Sequence, residues 1–245
     1  MLIKQIVEQI RKSGTATALH TGSPDSEASG IAVTYTPTLE VLRKAVASGR
    51  NLIVTREGPY WNRKADAFAA NPTFVYKRDF IEKNHLAILQ LRDDPEDRSL
   101  RALGETLGWS PAGNIYFKLP QGSLEALARS IEAKLGIHAA RVIGDPRLVV
   151  SKVALTHGRM MVPALQKVLQ EPDLDAVVIG EPIEWEASPY FQDLIVSGQK
   201  KGLIAIGLEA SEEPGGKLVT ARLKTLVPDV PVEWIPAGEP FTVLT

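Results

Sequence analysis

The chain has 245 residues, with 28 Lys and Arg against 29 Asp and Glu, a net charge of −1, 44% hydrophobic residues and no cysteine. The near-neutral charge argues against a dedicated nucleic-acid binder, which carries a basic excess, and the hydrophobic share is typical of a folded domain. The lack of cysteine excludes disulfides, thiolate nucleophiles, iron–sulfur clusters and cysteine-ligated zinc.

The N-terminal segment predicts an amphipathic helix rather than an export signal. Apolar residues at positions 2, 3, 6, 7 and 10 follow helical spacing, and the helix is expected to end near Gly14. Charged residues interrupt the apolar stretch, whereas a secretory signal needs an uninterrupted one. No apolar run approaches the roughly 18–20 residues that span a bilayer. We therefore expect a cytoplasmic protein that does not bind membranes.

Short apolar runs rich in Val and Ile predict strands, and helical patterns separate them. The predicted strands, in chain order, are 30–35, 52–55, 86–91, 114–119, 149–155, 176–180, 203–207 and an edge strand over 230–234. Helices are expected after Thr36-Pro37, from a Ser123 cap to Gly136, and through Val162, Leu165 and Leu169. Alternating strands and helices predict parallel pairing and an α/β fold.

The two halves of the chain resemble each other. In the first half, a predicted strand (31–34), a helix and a second strand are followed by an acidic residue within 52–57. In the second half, the same order runs from 153–156 through a helix to 177–181. Either any two βαβ units look alike, or the chain forms two similar lobes around a shared cleft. The expected boundary between the two lobes is Gly144-Asp145-Pro146. The lobes would then cover about 1–143 and 144–245, and together they would form a single domain.

Charged and polar residues follow most of the predicted strands. Ligands bind beyond the carboxyl ends of strands in open parallel sheets, so these residues are the site candidates. They are Arg56 and Glu57, Arg92 and Asp93, His157 and Arg159, Glu181, and Ser211 with Glu212. Each also has an ordinary explanation as a solvated loop residue. Ser211 is a possible helix N-cap, which would place Glu212 where it complements a helix dipole.

Motifs for common chemistry are missing from the sequence. It contains no G-x-G-x-x-G, no Walker A, no G-x-S-x-G and no H-E-x-x-H, and its four histidines have no metal-ligand spacing. The residues by themselves therefore name no reaction.

Several short motifs nevertheless resemble one known family. They are Thr21-Gly22-Ser23-Pro24 with Gly30-Ile31-Ala32, the run from Asn51 to Thr55, Gly144-Asp145-Pro146, Gly180-Glu181, Gly207 through Ser211-Glu212 to Pro214-Gly215, and Glu239-Pro240-Phe241. They are similar to motifs of the Nif-three-like proteins, also called GTP cyclohydrolase 1 type 2 homologues or domain of unknown function 34. The similarity runs over most of the chain.

The resemblance implies an α/β fold of two similar lobes, assembled as a dimer or as a ring of six. It also implies a two-metal site in the cleft between the lobes and metal-dependent hydrolysis of a small or nucleotide-like molecule. Two metals about 3.5–4 Å apart suit such chemistry, because they activate water and stabilise the developing charge.

The sequence departs from the family at the positions of its metal ligands. The family's Thr-His-His-Pro, or Thr-His-Glu-Pro in one branch, becomes Thr55 followed by Arg56-Glu57-Gly58-Pro59, which keeps Glu57 and replaces the histidine with Arg56. Arginine is a poor metal ligand, because its guanidinium stays protonated.

The other two ligand motifs have also lost their histidines. The His followed by Asp becomes Arg92-Asp93, although Glu96 or Asp97 could fill the acidic place. Gly-His-x-x-Ser-Glu becomes the segment 207–212, which keeps Glu212 and has Leu208 in place of the histidine.

Three functions are compatible with these changes. The first is a non-enzyme, a scaffold or binder in a homo-oligomer, whose metal centre is replaced by a network in which Arg56 and Arg92 neutralise Glu57, Asp93 and Glu212. It needs no cofactor.

The second function is a hydrolase that holds a divalent metal (Mg, Mn, Zn or Fe) with Glu57, Asp93, Glu212 and Glu181. The third is a receptor for an anionic metabolite formed by Arg56, Arg92, His157 and Arg159, because guanidinium groups suit phosphate. We rank the first above the third and the third above the second.

Overall fold

The computed structural model describes residues 1–61, 69–92 and 98–244. The described helices and strands are, in chain order, α1 Ile3–Lys12, β1 Thr17–Thr21, β2 Ile31–Thr34, α2 Leu39–Ala47, β3 Leu52–Thr55, α3 Pro72–Lys83, β4 Ala87–Leu91, α4 Arg98–Leu107, β5 Ser110–Pro111, β6 Tyr116–Ser123, α5 Leu124–Leu135, β7 Arg141–Ile143, β8 Val149–Leu155, β9 Arg159–Met160, α6 Val162–Leu169, β10 Ala176–Ile179, β11 Glu181–Pro182, α7 Glu184–Val196, β12 Gly202–Ala205, α8 Leu208–Leu226 and β13 Val232–Trp234. The predicted α/β class is confirmed.

The chain divides into two compact units. Unit 1 contains Met1–Glu96 and Gly216–Ala237, and unit 2 contains Asp97–Gly215 and Gly238–Thr245. The sequence of α8 is therefore shared between them at Gly215–Gly216. Gly144-Asp145-Pro146, the expected lobe boundary, lies inside unit 2 in the turn between β7 and β8.

Unit 1 is built on a five-stranded sheet in the order β1-β4-β3-β2-β13. The strands β4, β3, β2 and β13 are parallel, with Ile31 opposite Leu52 and Val232 opposite Ile31, whereas β1 is antiparallel to β4. Every residue of β2 and β3 is buried, which explains their unbroken apolar runs. The predicted edge position of the last strand is confirmed, because β13 lies at one end of the sheet.

Unit 2 contains a six-stranded sheet in the order β5-β6-β8-β10-β12-β7, and a short parallel pair of β9 and β11. β8, β10 and β12 are parallel, while β6 and β7 pair in antiparallel fashion with β8 and β12. The expected parallel pairing is therefore wrong for the predicted strand 114–119, which is β6, and the strands β1, β5 and β7 were not predicted. These strands add antiparallel edges to a parallel centre, an arrangement common in large sheets.

Sequence signals at helix ends were mostly reliable. α1 ends at Lys12, close to Gly14, and α6 follows the predicted apolar stripe. Ser123 Oγ accepts a hydrogen bond from Ala126 N, and Gly136 adopts φ 69° directly after α5, as predicted. The N-cap of α2 is different: Thr38, not Thr36, accepts from Val41 N, because the helix begins only at Leu39.

Among the described helices, none is long and apolar enough to cross a membrane.

Candidate functional site

The carboxyl ends of β8 and β10 meet the start of α8 within unit 2. Backbone hydrogen bonds join the turns that follow the strands: Glu181 N donates to Gly158 O at 2.8 Å, and Gly207 N donates to Gly180 O at 3.0 Å. Ser211 N then donates to Gly207 O at 3.2 Å at the beginning of α8. The predicted convergence of polar residues at strand ends is therefore present for this part of the sequence.

Two glycines allow the turns to approach this closely. A Cβ at Gly180 would overlap Gly158 O and Ser211 Oγ and would lie 3.0 Å from Gly158 N. Gly158 adopts φ 66°, and a Cβ there would lie 2.9 Å from Glu212 Oε1. Glycine is required at both positions, at Gly180 by the close approach and at Gly158 also by its positive φ.

The side chains of His157 and Glu212 form a largely enclosed hydrogen-bonded pair in this region. His157 Nδ1 lies 2.9 Å from Glu212 Oε1, and the two side chains are 26% and 9% exposed. The carboxylate can accept a hydrogen bond from Nδ1 and thereby selects the tautomer and orientation of the imidazole. Glu212 is thus occupied by a side chain that comes from the turn after β8.

Ser211 does not act as the helix N-cap that the sequence indicates. It lies inside α8, fully buried, and its Oγ accepts from Gly158 N at 2.9 Å while donating to Leu208 O at 2.7 Å. The predicted N-cap at Ser211 is therefore wrong, because α8 already begins at Leu208. The hydroxyl instead connects the helix to the Gly158 turn.

Arg159 and Glu181 lie next to this cluster in sequence but have exposed side chains. They face each other in the register of the parallel pair of β9 and β11. Their main chains thus position the turns after β8 and β10, and their side chains are available to solvent.

Unit 1 has its own polar group at the carboxyl ends of β2, β3 and β4. Thr55 Oγ1 donates to Tyr35 O at 2.7 Å, and the backbone N–H groups of Arg56 and Glu57 also donate to Tyr35 O. The hydroxyl of Tyr35 donates a hydrogen bond to Glu57 Oε1 at 3.3 Å. These contacts hold the Arg56–Glu57 turn against the end of β2.

The guanidinium of Arg56 is bonded to main-chain carbonyl groups. Its Nη1 donates to Leu91 O at 3.3 Å and to Arg92 O. Gln90 Nε2 donates to Arg56 O at 2.9 Å, and Gln90 Oε1 lies 2.8 Å from His20 Nε2. Arg56 therefore ties the turn after β3 to the end of β4, and the side chain of Arg92 is exposed.

The observed side-chain partners of Glu57 and Glu212 within their own units are not arginines. Over the described residues, the observed partner of Glu57 is Tyr35 and that of Glu212 is His157, while Arg56 bonds to carbonyl oxygens. A guanidinium can satisfy its donors equally well on carbonyl groups that lie within reach. Asp93, together with the alternatives Glu96 and Asp97, lies outside the described residues.

Among the described residues, the side chains at the matched positions do not fit a two-metal centre. Within residues 1–61, 69–92 and 98–244, no group of three or more His, Asp or Glu side chains is placed to hold a metal ion. At the matched positions, Arg56 is cationic, Leu208 offers no ligand atom in its side chain, and Glu212 is bonded to His157.

Comparisons with known proteins give a clear result for the fold. No protein-family model and no curated protein matches the sequence. Among solved structures, a Bacillus cereus protein related to NIF3 superposes with a TM-score of 0.80 at 13% identity, covering 100% of this chain and 99% of that chain. The chain has the Nif-three-like fold.

Two further structures agree with this assignment. The Staphylococcus aureus hypothetical protein SA1388 gives a TM-score of 0.78 at 16% identity, covering 100% of this chain and 99% of that one. The protein ybgI, of unknown function, gives 0.75 at 20% identity over 98% and 100%. At such identities, the likeness to Nif-three-like structures establishes the fold and leaves the activity open.

Sequence reasoning missed several residues that shape these two groups. Tyr35 and Gln90 bond to the Arg56–Glu57 region, and His20 contacts Gln90. The close approach of the turns that Gly158 and Gly180 permit in unit 2 was not predicted either. For Tyr35 and Gln90 a signal existed, since both are at the carboxyl ends of predicted strands. His20 lies on β1, which the apolar pattern did not predict.

Proposed function

We propose that this chain is a divergent member of the Nif-three-like family that lacks the dinuclear metal centre and acts as a non-catalytic, homo-oligomeric binding protein. The shared fold over the full chain and the motifs at the strand ends support the family. The replacement of three histidine positions by Arg56, Arg92 and Leu208 supports the loss of the metals.

The observation that carries the proposal is the contact between Glu212 and His157. Glu212 is the acidic residue of the third ligand motif, yet it is buried and lies 2.9 Å from the imidazole of a residue outside the three motifs. In this proposal the carboxylate binds a protein partner in place of a metal, and that partner offsets the cost of burying the carboxylate.

Arg56 supports the same conclusion from unit 1. A guanidinium at a former ligand position would repel a divalent ion, and here it has a structural role on the carbonyl groups of Leu91 and Arg92. Glu57, the carboxylate beside it, accepts from the phenol of Tyr35.

The competing function is a hydrolase, and one observation favours it. A carboxylate bonded to Nδ1 of a histidine is also how enzymes orient an imidazole, either as a general base or as a metal ligand. In that case Glu212 would position His157, and an ion such as Mg²⁺, Mn²⁺, Zn²⁺ or Fe²⁺ would be required for the family's chemistry.

Metal analysis separates the two functions. We expect protein purified without chelator to contain less than about 0.1 equivalent of transition metal per chain, because the ligand positions carry Arg56, Arg92 and Leu208. Added Mg²⁺, Mn²⁺ or Zn²⁺ should leave the melting temperature unchanged, since an ion that binds the native state would raise it. Near-stoichiometric metal, or a rise in melting temperature that is abolished in Glu212→Gln, would overturn the proposal in favour of the hydrolase.

The ligand class that we propose for a binding role is an anionic small molecule. Arg92 and Arg159 have exposed side chains near strand ends, Arg56 follows β3, and His157 follows β8. Inorganic phosphate and a nucleotide are the probes for a thermal-shift titration, with Arg92→Gln and Arg159→Gln as variants and Arg147→Gln, an exposed arginine in a turn, as the control. No protection by either probe would remove this ligand class.

The proposed homo-oligomer, a dimer or a ring of six, is tested by light scattering on the size-exclusion eluate. The chain mass is 26.7 kDa, so the mass of an oligomer is an integral multiple of it. A monomer across the accessible concentration range would contradict this part of the proposal.

A further inference from the structure

An exposed apolar segment of unit 2 belongs to none of the described helices and strands. Segment 240–244 has the sequence Pro-Phe-Thr-Val-Leu, which carries no charge. Its side chains of Phe241, Val243 and Leu244 are 73%, 50% and 92% exposed. Single exposed apolar side chains are ordinary on a protein surface, whereas three of them within four residues are typical of an interaction site.

A carboxylate holds this segment in place at its start. Glu239 accepts hydrogen bonds from Ala139 N at 2.8 Å and from His138 N at 2.9 Å, and its side chain is only 19% exposed. Such an anchor is firm, because hydrogen bonds to a charged acceptor are stronger than those between neutral groups. Segment 240–244 therefore extends from a fixed point in unit 2, and the residues at that point directly precede β7 in the chain.

Strand β7 has an unpaired outer edge. It lies at the end of the six-stranded sheet, and β12 is its partner among the described strands. Val142 is opposite Ile204 in the register, so the two side chains lie on the same face of the sheet. Ile204 is fully buried, whereas Val142 is 39% exposed. The main chain and the apolar surface of β7 are thus both available to a further strand.

We propose that segment 240–244 of one chain pairs, as an added strand, with the outer edge of β7 in a second copy of this chain. This inference rests on the proposed homo-oligomer and names a contact that forms it. Aromatic and β-branched residues such as Phe241 and Val243 favour a strand, and strand addition is a common mode of peptide recognition. A single chain holds both the segment and the edge but leaves them unjoined, which favours a second copy as the partner. Because each copy gives one segment and receives another, the contact closes as a two-fold dimer.

Cysteine cross-linking tests this contact, because the chain contains no native cysteine. One variant carries Val142→Cys, and four others each carry a single cysteine at position 241, 242, 243 or 244. Each of the four is co-expressed with the Val142→Cys chain and mildly oxidised, and mass spectrometry of the linked peptides gives the rate of cross-linking. In the control, Val196→Cys replaces Val142→Cys, since Val196 is an 87% exposed residue of helix α7 outside the proposed contact.

We expect at least one of the four positions to cross-link to Val142→Cys at least about tenfold faster than to Val196→Cys. Neighbouring residues on paired strands bring their Cβ atoms to about 5 Å, close to the separation that a disulfide needs. Equal rates at all four positions would overturn the proposal. A disulfide that forms within a chain carrying both cysteines, and not between chains, would also overturn it, because the segment would then pair with its own β7.

The mass of the wild-type protein separates this inference from the proposed function. An oligomeric wild type combined with equal cross-linking rates would contradict this contact alone. A monomeric wild type would contradict the proposed homo-oligomer together with the contact.

Discussion

Replacing Gly180 by alanine is expected to destabilise the protein by about 3 kcal/mol, measured as the free energy of unfolding in guanidinium chloride. The new Cβ would overlap the carbonyl oxygen of Gly158 and the hydroxyl of Ser211, and it would also approach Gly158 N. Two of these atoms belong to the main chain, which cannot rotate away. Relief requires the turn after β8 to separate from the turn after β10, which would break the bond from Glu181 N to Gly158 O.

Gly122→Ala is the matched control for this prediction. Gly122 lies in β6 of the same unit, and a Cβ there would meet no atom within 4 Å. We expect a change within about 1 kcal/mol, because the substitution also reduces the entropy of the unfolded chain. Equal effects of the two substitutions would show that the close approach of the turns is not what requires glycine at Gly180.

Removing the carboxylate in Glu212→Ala should cost about 2–3 kcal/mol of unfolding free energy. The substitution deletes the bond to His157 Nδ1, leaves a largely buried imidazole without that partner and opens a small void beside Gly158. Glu212→Gln keeps the shape of the side chain and one hydrogen-bonding oxygen, so it should recover about half of the loss.

Glu184→Ala is the control, because Glu184 also lies near the start of a helix and also has a basic side chain as its partner. Its partner is Arg141 at 2.8 Å, but the two side chains are 68% and 60% exposed. Exposed ion pairs contribute little, so we expect less than about 0.5 kcal/mol. If Glu212→Ala were equally mild, the pair with His157 would contribute nothing to the fold, and the contact could no longer explain why this carboxylate is buried.

The centres of both sheets were predictable from the sequence. β2, β3 and β10 are buried along their whole length, so they consist almost entirely of continuous runs of Val, Ile, Leu and Ala. α5 was equally clear, because Ser123 and Gly136 satisfy hydrogen-bonding groups at its two ends locally. In these elements, local preference and tertiary burial agree.

The edges of the sheets were harder to predict. β1 has the sequence Thr-Ala-Leu-His-Thr, is largely half-buried and pairs on one side with β4. Such a strand carries no strong apolar run, because a partly exposed edge tolerates polar residues. β7 is similar, with three residues paired to β12 and little burial.

In the candidate site, too, some features were predictable from the sequence and others were not. The positions of Arg56, Glu57 and His157 after strands were predicted from the sequence, because the carboxyl end of a buried strand is recognisable from the strand itself. The hydrogen-bond partners of these side chains were not predicted. Opposite charges suggested bonds from arginine to carboxylate, whereas the fold places a phenol next to Glu57 and an imidazole next to Glu212.

The sequence by itself determined the α/β class, the central strands, most helix ends and the presence of Arg56, Arg92 and Leu208 at the matched positions, because these depend on residue type and on local spacing. Only the tertiary structure decided that Ser211 lies within α8 and holds the Gly158 turn, and that Glu212 pairs with His157. These are contacts between segments that are separated in the chain, and the partner of a polar group is chosen by which atoms the packing of the core brings within bonding distance.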